Sequence, residues 1–290
     1  MNKFIIRTLT SIVFVVVLIG CILWSPVSFA VLFAVITGMT IWEFCSIVNK
    51  NADLGINRFI TTVAGVYLYL AVYGFNLNIC GSEIFIPYIV SIIYLLISEL
   101  YYDRKNSIYN WAFALMSQLY IAMPFATINT LAFISLPQSF AAPEVVYTPF
   151  LVISVFIFLW CGDAGAYCVG SLIGKHKLFP RISPAKTWEG SIGGGLLAII
   201  AGLIISQISI YPIANDGPYA SPFFWTGLAL TVVVFGIWGD LVESLIKRQL
   251  GIKDSGHILP GHGGMLDRFD SSLLAFPAAV VYIYTITYYF

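Results

Sequence analysis

Charged side chains are scarce: Asp, Glu, Lys and Arg make up 10% of the 290 residues, against roughly 25% in ordinary soluble domains. That excludes a surface built mainly for contact with water. Net charge is zero, so no global field draws in nucleic acid, and no such partner is expected. The cysteines Cys21, Cys45, Cys80, Cys161 and Cys168 lie in or beside apolar segments, without metal-ligand spacing or a disulfide framework, and read as small core residues. His176, His257 and His262 are the only histidines and lack paired ligands at suitable spacing, which argues against zinc.

What the chain has in abundance is apolar length. Hydrophobic residues make up 59% of it and mean hydropathy is +0.91. Runs of about 20 residues fit the roughly 30 Å hydrocarbon core of a bilayer when helical, because a helix satisfies its own backbone polar groups. The expected spans are 9–24, 27–48, 59–76, 84–100, 109–135, 149–170, 191–210, 222–245 and 272–290. The expected fold is therefore an all-α, polytopic bundle of about nine transmembrane helices, organised as N-terminal transmembrane helices over 1–150 and a C-terminal transmembrane region over 151–290. Ser25-Pro26 alone separates the first two spans, and Pro124 interrupts the fifth. Lys3 and Arg7 before an apolar run give the N-terminus the look of a signal peptide, yet a retained first helix is the expectation for a multi-span chain.

Charge placement orients the bundle. With nine spans and the N-terminus inside, Lys3, Arg7, Lys50, Arg58, Arg104, Lys105, Lys175, Lys177, Arg181, Lys186, Lys247, Arg248, Lys253 and Arg268 all fall on one side. The opposite loops carry Glu83, Glu144 and Asp216 instead. The positive-inside rule makes the basic side cytoplasmic.

Two polar clusters lie on that side. The first runs from Gly162-Asp163 through Gly174-Lys175-His176-Lys177 to Ile182-Ser183-Pro184-Ala185-Lys186-Thr187-Trp188-Glu189-Gly190. Asp163 falls inside an apolar helix, where an ionisable group normally faces a cavity or a partner. Ser183 before Pro184 predicts an N-cap with proline at the first helical position, opening a helix through Thr187 and Glu189. Such a helix start suits a phosphate, with Lys186 adding a full charge.

The second cluster holds Asp240, Glu243 and Lys247 at i, i+3, i+7 spacing, one face of a helix end. Asp267 and Asp270 are expected to share a face at the start of the last helix. Carboxylates on two helices with Arg248, Lys253 and Arg268 between them suit a divalent cation bridging phosphates. Gly261-His262-Gly263-Gly264 lets backbone approach a polyphosphate without obstruction.

The run Ser244-x-Ile246-Lys247-Arg248, four residues, Lys253-Asp254-x-Gly256-x-x-Leu259-Pro260-x-His262-Gly263-Gly264-Met265-x-Asp267-Arg268-Phe269-Asp270 resembles the signature of phosphatidate cytidylyltransferases, also called CDP-diacylglycerol synthases. The first cluster is similar to that family as well, although Phe179 and Cys168 stand where other residues are common. The resemblance implies that phosphatidate and CTP are substrates, that CDP-diacylglycerol and pyrophosphate are products, and that Mg2+ is the cofactor, with a monovalent cation such as K+ left open. It implies Asp240, Asp267 and Asp270 as metal ligands. Lys186, Lys247, Arg248, Lys253 and Arg268 would hold phosphates, with Ser183, Thr187, His262, Gly263 and Gly264 around the substrates. Asp163, Glu189 and Glu243 would support them. A multi-pass protein of the cell membrane, with its active site facing the cytoplasm, is expected. A homodimer stays open, since lipid-facing and subunit-facing surfaces are both apolar.

The rival readings are a transporter, which intramembrane carboxylates also suggest, and another lipid-linked enzyme using a different acceptor. Against transport, the polar groups gather at one surface and no inverted pair of broken helices is evident. The nine-span layout places the C-terminus outside. A reporter fused there is expected to be active only on the non-cytoplasmic side; activity in the cytoplasm alone overturns the layout.

Overall fold

A computed structural model describes residues 3–102, 106–136, 144–208, 217–256 and 263–289. In chain order, α1 is Lys3–Trp24, α2 Pro26–Asn51, α3 Arg58–Asn76, α4 Ile86–Ser98, α5 Ser107–Ser117 and α6 Met123–Ala132. A hairpin of β1, Phe133–Leu136, and β2, Glu144–Tyr147, follows. Then come α7, Pro149–Ile173, a hairpin of β3, Lys177–Phe179, and β4, Ser183–Thr187, and α8, Trp188–Ser206. Next are α9, Pro222–Gln249, the short α10, Leu266–Phe269, and α11, Ser272–Tyr289. Among the described residues eight helical segments are long and apolar enough to cross a bilayer, and the apolar part of α1 over Thr8–Trp24 is shorter. The protein is a polytopic helical bundle, with two small antiparallel hairpins beside the helices.

The junctions follow local chemistry. Ser25 caps α2 by accepting from Ser28 N–H at 3.1 Å, while Ser28 Oγ accepts from Ser25 N–H at 3.0 Å, a reciprocal box that separates two helices by one residue. The fifth span is not broken at Pro124. A π turn over Gln118–Ala122 joins α5 to α6 and absorbs the backbone mismatch just before the proline. That helix ends at Ala132, so residues 133–135 belong to β1 and not to the span expected from hydropathy.

The chain divides into two units. The first combines Met1–Tyr147 with Gln249–Phe269. Its centre is aromatic: Phe125 and Phe33 meet Phe269 with ring centroids 5.3 and 6.4 Å apart, and Phe29, Phe33, Phe44 and Tyr69 are fully buried. Lipid is as apolar as these rings, so close packing and dispersion hold such helices together where water would otherwise drive burial. Tyr147 donates its phenolic hydrogen to the Ile22 carbonyl at 2.6 Å, and burial pushes its pKa above the ordinary tyrosine value, keeping the donor in place.

The second unit combines Thr148–Arg248 with Asp270–Phe290. Here α7 and α8 pack through glycine. A Cβ on Gly165 would lie 2.8 Å from the Gly193 carbonyl oxygen, and one on Gly194 would lie 2.5 Å from that of Gly162, so the backbones touch where larger residues would part them. Phe156 of α7 meets Phe276 of α11 edge to face at 5.6 Å. Replacing Gly194 with valine is expected to cost about 1–3 kcal/mol through overpacking, seen as a lower melting temperature in detergent, whereas valine at Gly20, which has no neighbour within 4 Å, is expected to change little.

Candidate active site

In the second unit the expected helix start at Ser183 is absent. Ser183–Thr187 is β4, paired antiparallel with Lys177–Phe179, and α8 begins at Trp188. The Ser-Pro pair satisfies a helix cap and an extended strand equally well locally; pairing with the preceding segment decides between them. Thr187 takes the cap instead, its hydroxyl oxygen accepting from Gly190 N–H at 3.2 Å. Glu189 then ties the hairpin to the helix, accepting from Lys175 N–H and His176 N–H at 3.2 Å and meeting His176 Nδ1 at 2.5 Å.

The strand aims Lys186 at α9. Its ammonium lies 2.5 Å from the Asp240 carboxylate, with the two side chains 24% and 30% exposed, so the pair is accessible to a ligand. Phe179 stacks edge to face on Trp238 at 5.7 Å, which fixes the hairpin over the same stretch of α9. One turn on, Ser244 donates to Asp240 at 3.2 Å, and Lys247 pairs with the fully buried Glu243 at 2.5 Å. The i, i+3, i+7 expectation holds in that α9 is continuous through Gln249. Its members are nonetheless divided between two ion pairs.

Beside Lys186 lies a cavity of about 370 Å³, within the range of small-molecule sites. Asp163, Lys186, Thr187 and Ser271 are among its polar lining, and Gly162, Gly170, Gly190 and Gly236 keep it open. Asp163 is within electrostatic reach of Asp240 and Lys186. Asp270 is within reach of Asp240, Lys247 and Asp163. Three carboxylates and two lysines thus converge in this unit.

Residues 249–269 of the signature belong to the first unit, and residues 244–248 and Asp270 to the second. Asp267 lies on α10, but Asp270 follows in a turn before α11, so the two do not share a face of one regular helix. The backbone turns there, and the Asp270 carboxylate accepts from the adjacent Ser271 N–H at 2.6 Å. One oxygen of Asp267 accepts from Ser255 N–H at 2.9 Å and from Gly264 N–H at 2.8 Å, and lies 3.0 Å from Ser255 Oγ. Gly263 has φ +80°, a left-handed conformation that suits glycine, and a Cβ there would meet the Asp267 carboxylate. Lys253, Arg248 and Arg268 are exposed. His262 lies outside the described residues.

Sequence reasoning missed Glu43. It lies on α2, 5% exposed, and accepts from Ser255 Oγ, from Met265 N–H at 2.8 Å and from Leu266 N–H at 3.2 Å. Its signal was a carboxylate inside an apolar span, the same signal that singled out Asp163.

Among the described residues no group of three or more His, Cys, Asp or Glu side chains is arranged to enclose a metal ion. The donors present are carboxylates, hard oxygen ligands beside lysines, which match Mg2+ completed by phosphate oxygens and water better than a metal caged by protein alone.

Comparison with known proteins decides the family. The profile of the cytidylyltransferase family matches residues 5–286. The chain belongs to that family. It is 30% identical to a phosphatidate cytidylyltransferase of Haemophilus influenzae, over 93% of this chain and 95% of that protein. It is 32% identical to one of Staphylococcus haemolyticus, over 94% of this chain and 96% of that protein. A third relative with the same name, from Bacillus subtilis, is 48% identical over 42% of each chain.

Within this member of the cytidylyltransferase family, the buried Glu243–Lys247 pair carries a clear energetic consequence. Removing one partner of a buried pair leaves a charge in a low-dielectric setting and costs roughly 3–5 kcal/mol, whereas neutralising both costs less. Lys247→Met is therefore expected to lower the melting temperature in detergent more than Lys247→Met combined with Glu243→Gln, a comparison that thermal unfolding of the two purified variants checks.

Proposed function

We propose that the chain transfers the cytidylyl group of CTP to the phosphate of phosphatidate, releasing pyrophosphate. An oxygen of the lipid phosphate forms a bond to the α-phosphorus of CTP while the bond from that phosphorus to the bridging oxygen of the β-phosphate breaks, so that CDP-diacylglycerol and pyrophosphate result. No protein nucleophile is required, because the attacking oxygen already carries negative charge; the protein has to position two polyanions and offset their repulsion. The observation that carries the proposal is the accessible Lys186–Asp240 pair beside the cavity. It sets a cation suited to a phosphate next to a carboxylate suited to a metal, in a chain whose relatives carry the name phosphatidate cytidylyltransferase.

In this reading the carboxylates of Asp240, Asp267 and Asp270 would hold Mg2+, which would supply charge neutralisation on the phosphates. Lys186, now paired with Asp240, would hold a phosphate oxygen once Asp240 served the metal. Lys247, Arg248, Lys253 and Arg268 add positive charge, and Gly263 and Gly264 let backbone come close to the nucleotide. Ser183, carried on the strand, and His262 complete the substrate contacts. Asp163 supports Lys186, and Glu189 holds the hairpin that presents it. The active site faces the cytoplasm in this reading, supported by the one-sided placement of the basic residues.

The test is incubation of purified full-length protein with phosphatidate vesicles, labelled CTP and Mg2+. Labelled lipid and pyrophosphate are expected in equal amounts, with no product after chelation of the metal. Asp240→Asn and Asp267→Asn are each expected to reduce turnover by at least about 100-fold with unchanged elution on size exclusion. Absence of both products from folded wild-type protein overturns the proposal, and near-normal turnover of either variant removes that residue from the metal site.

A further inference from the structure

Glu43 is a carboxylate buried in the middle of an apolar helix, 5% exposed. Such a group is costly unless donors meet it. The donors that meet it come from the signature segment: the amides of Met265 and Leu266 at 2.8 and 3.2 Å, and the Ser255 hydroxyl. The segment is shaped around this carboxylate. A Cβ on Gly256 would lie 2.9 Å from Glu43 Oε2, and one on Gly264 would collide with Oε1.

The same groups hold Asp267. Ser255 approaches Asp267 through both N–H and Oγ, and Gly264 N–H donates to the same oxygen at 2.8 Å. Consecutive amides are thus shared out, that of Gly264 to Asp267 and those of Met265 and Leu266 to Glu43. The Ser255 hydroxyl lies between the two carboxylates and has one proton to donate, so a change at one acceptor is felt at the other.

We propose that Glu43 is a positioning residue for Asp267, setting the place and donor strength of its carboxylate through Ser255 and the backbone at residues 264–266. This rests on the assignment of Asp267 to the cation in the proposed function. A residue that orients a metal ligand typically changes metal affinity by 10–100-fold when removed, whereas one that only stabilises the fold changes melting temperature and leaves affinity alone.

The experiment measures binding of Mn2+ alone to purified full-length protein by electron paramagnetic resonance, for wild type, Glu43→Gln, Ser255→Ala, the double variant and Asp267→Asn. Glu43→Gln and Ser255→Ala are each expected to raise the Mn2+ concentration for half-saturation by about tenfold. The double variant is expected to be no weaker than the weaker single one, since both act through one bridge. Wild-type affinity in Glu43→Gln and Ser255→Ala, alongside loss in Asp267→Asn, overturns the inference and leaves the metal assignment standing. Additive losses in the double variant also overturn it. Wild-type affinity in Asp267→Asn removes Asp267 from the cation and this inference with it. If Glu43→Gln does not fold, Ser255→Ala decides by its own affinity.

Discussion

An ion pair that stays accessible is the arrangement on which the second unit turns. Lys186 and Asp240 neutralise each other at 2.5 Å, which allows two charges to sit at the edge of an apolar bundle without either being stranded. Everything near them serves that placement. The β3–β4 hairpin carries Lys186, Glu189 ties the hairpin to the start of α8, Phe179 rests on Trp238, and the glycine contact of α7 with α8 keeps a cavity beside the pair. In the proposed reaction a phosphate or a metal would exchange one partner for another there, so binding would not begin by desolvating an isolated charge.

The Glu243–Lys247 pair, one turn further on, shows the opposite regime. Its carboxylate is fully buried, so it is a fixed part of the packing. Two acids of α9 thus pair with lysines at different depths, one across to β4 and one within the helix, and burial separates a pair suited to partner exchange from one suited to holding the helix in place.

The first unit solves the same problem with hydrogen bonds in place of ion pairs. Glu43 and Asp267 are both met by backbone amides and by Ser255, and Gly256, Gly263 and Gly264 leave room for carboxylates where side chains would stand. Gly263 and Gly264, which looked from sequence like an approach for polyphosphate, are also, in structure, an approach for the protein's own acids.

Hydropathy alone determined the helical bundle, because a backbone in lipid has no other way to satisfy its polar groups than helices or closed barrels, and apolar runs of the right length mark the helices. The identities of Asp163, Lys186, Asp240 and Asp267 as residues of interest were also legible, since charge in such a chain is rare enough to be conspicuous. What periodicity and capping rules did not reveal is whether Ser183-Pro184 opens a helix or lies in a strand, whether Asp270 continues the helix of Asp267, and which buried acid the signature segment folds around. Each was decided by tertiary structure. Strand pairing with Lys177–Phe179 decided the first and a turn between α10 and α11 the second; the approach of Ser255, Met265 and Leu266 to Glu43 on α2 decided the third, and local sequence does not encode a partner 222 residues away.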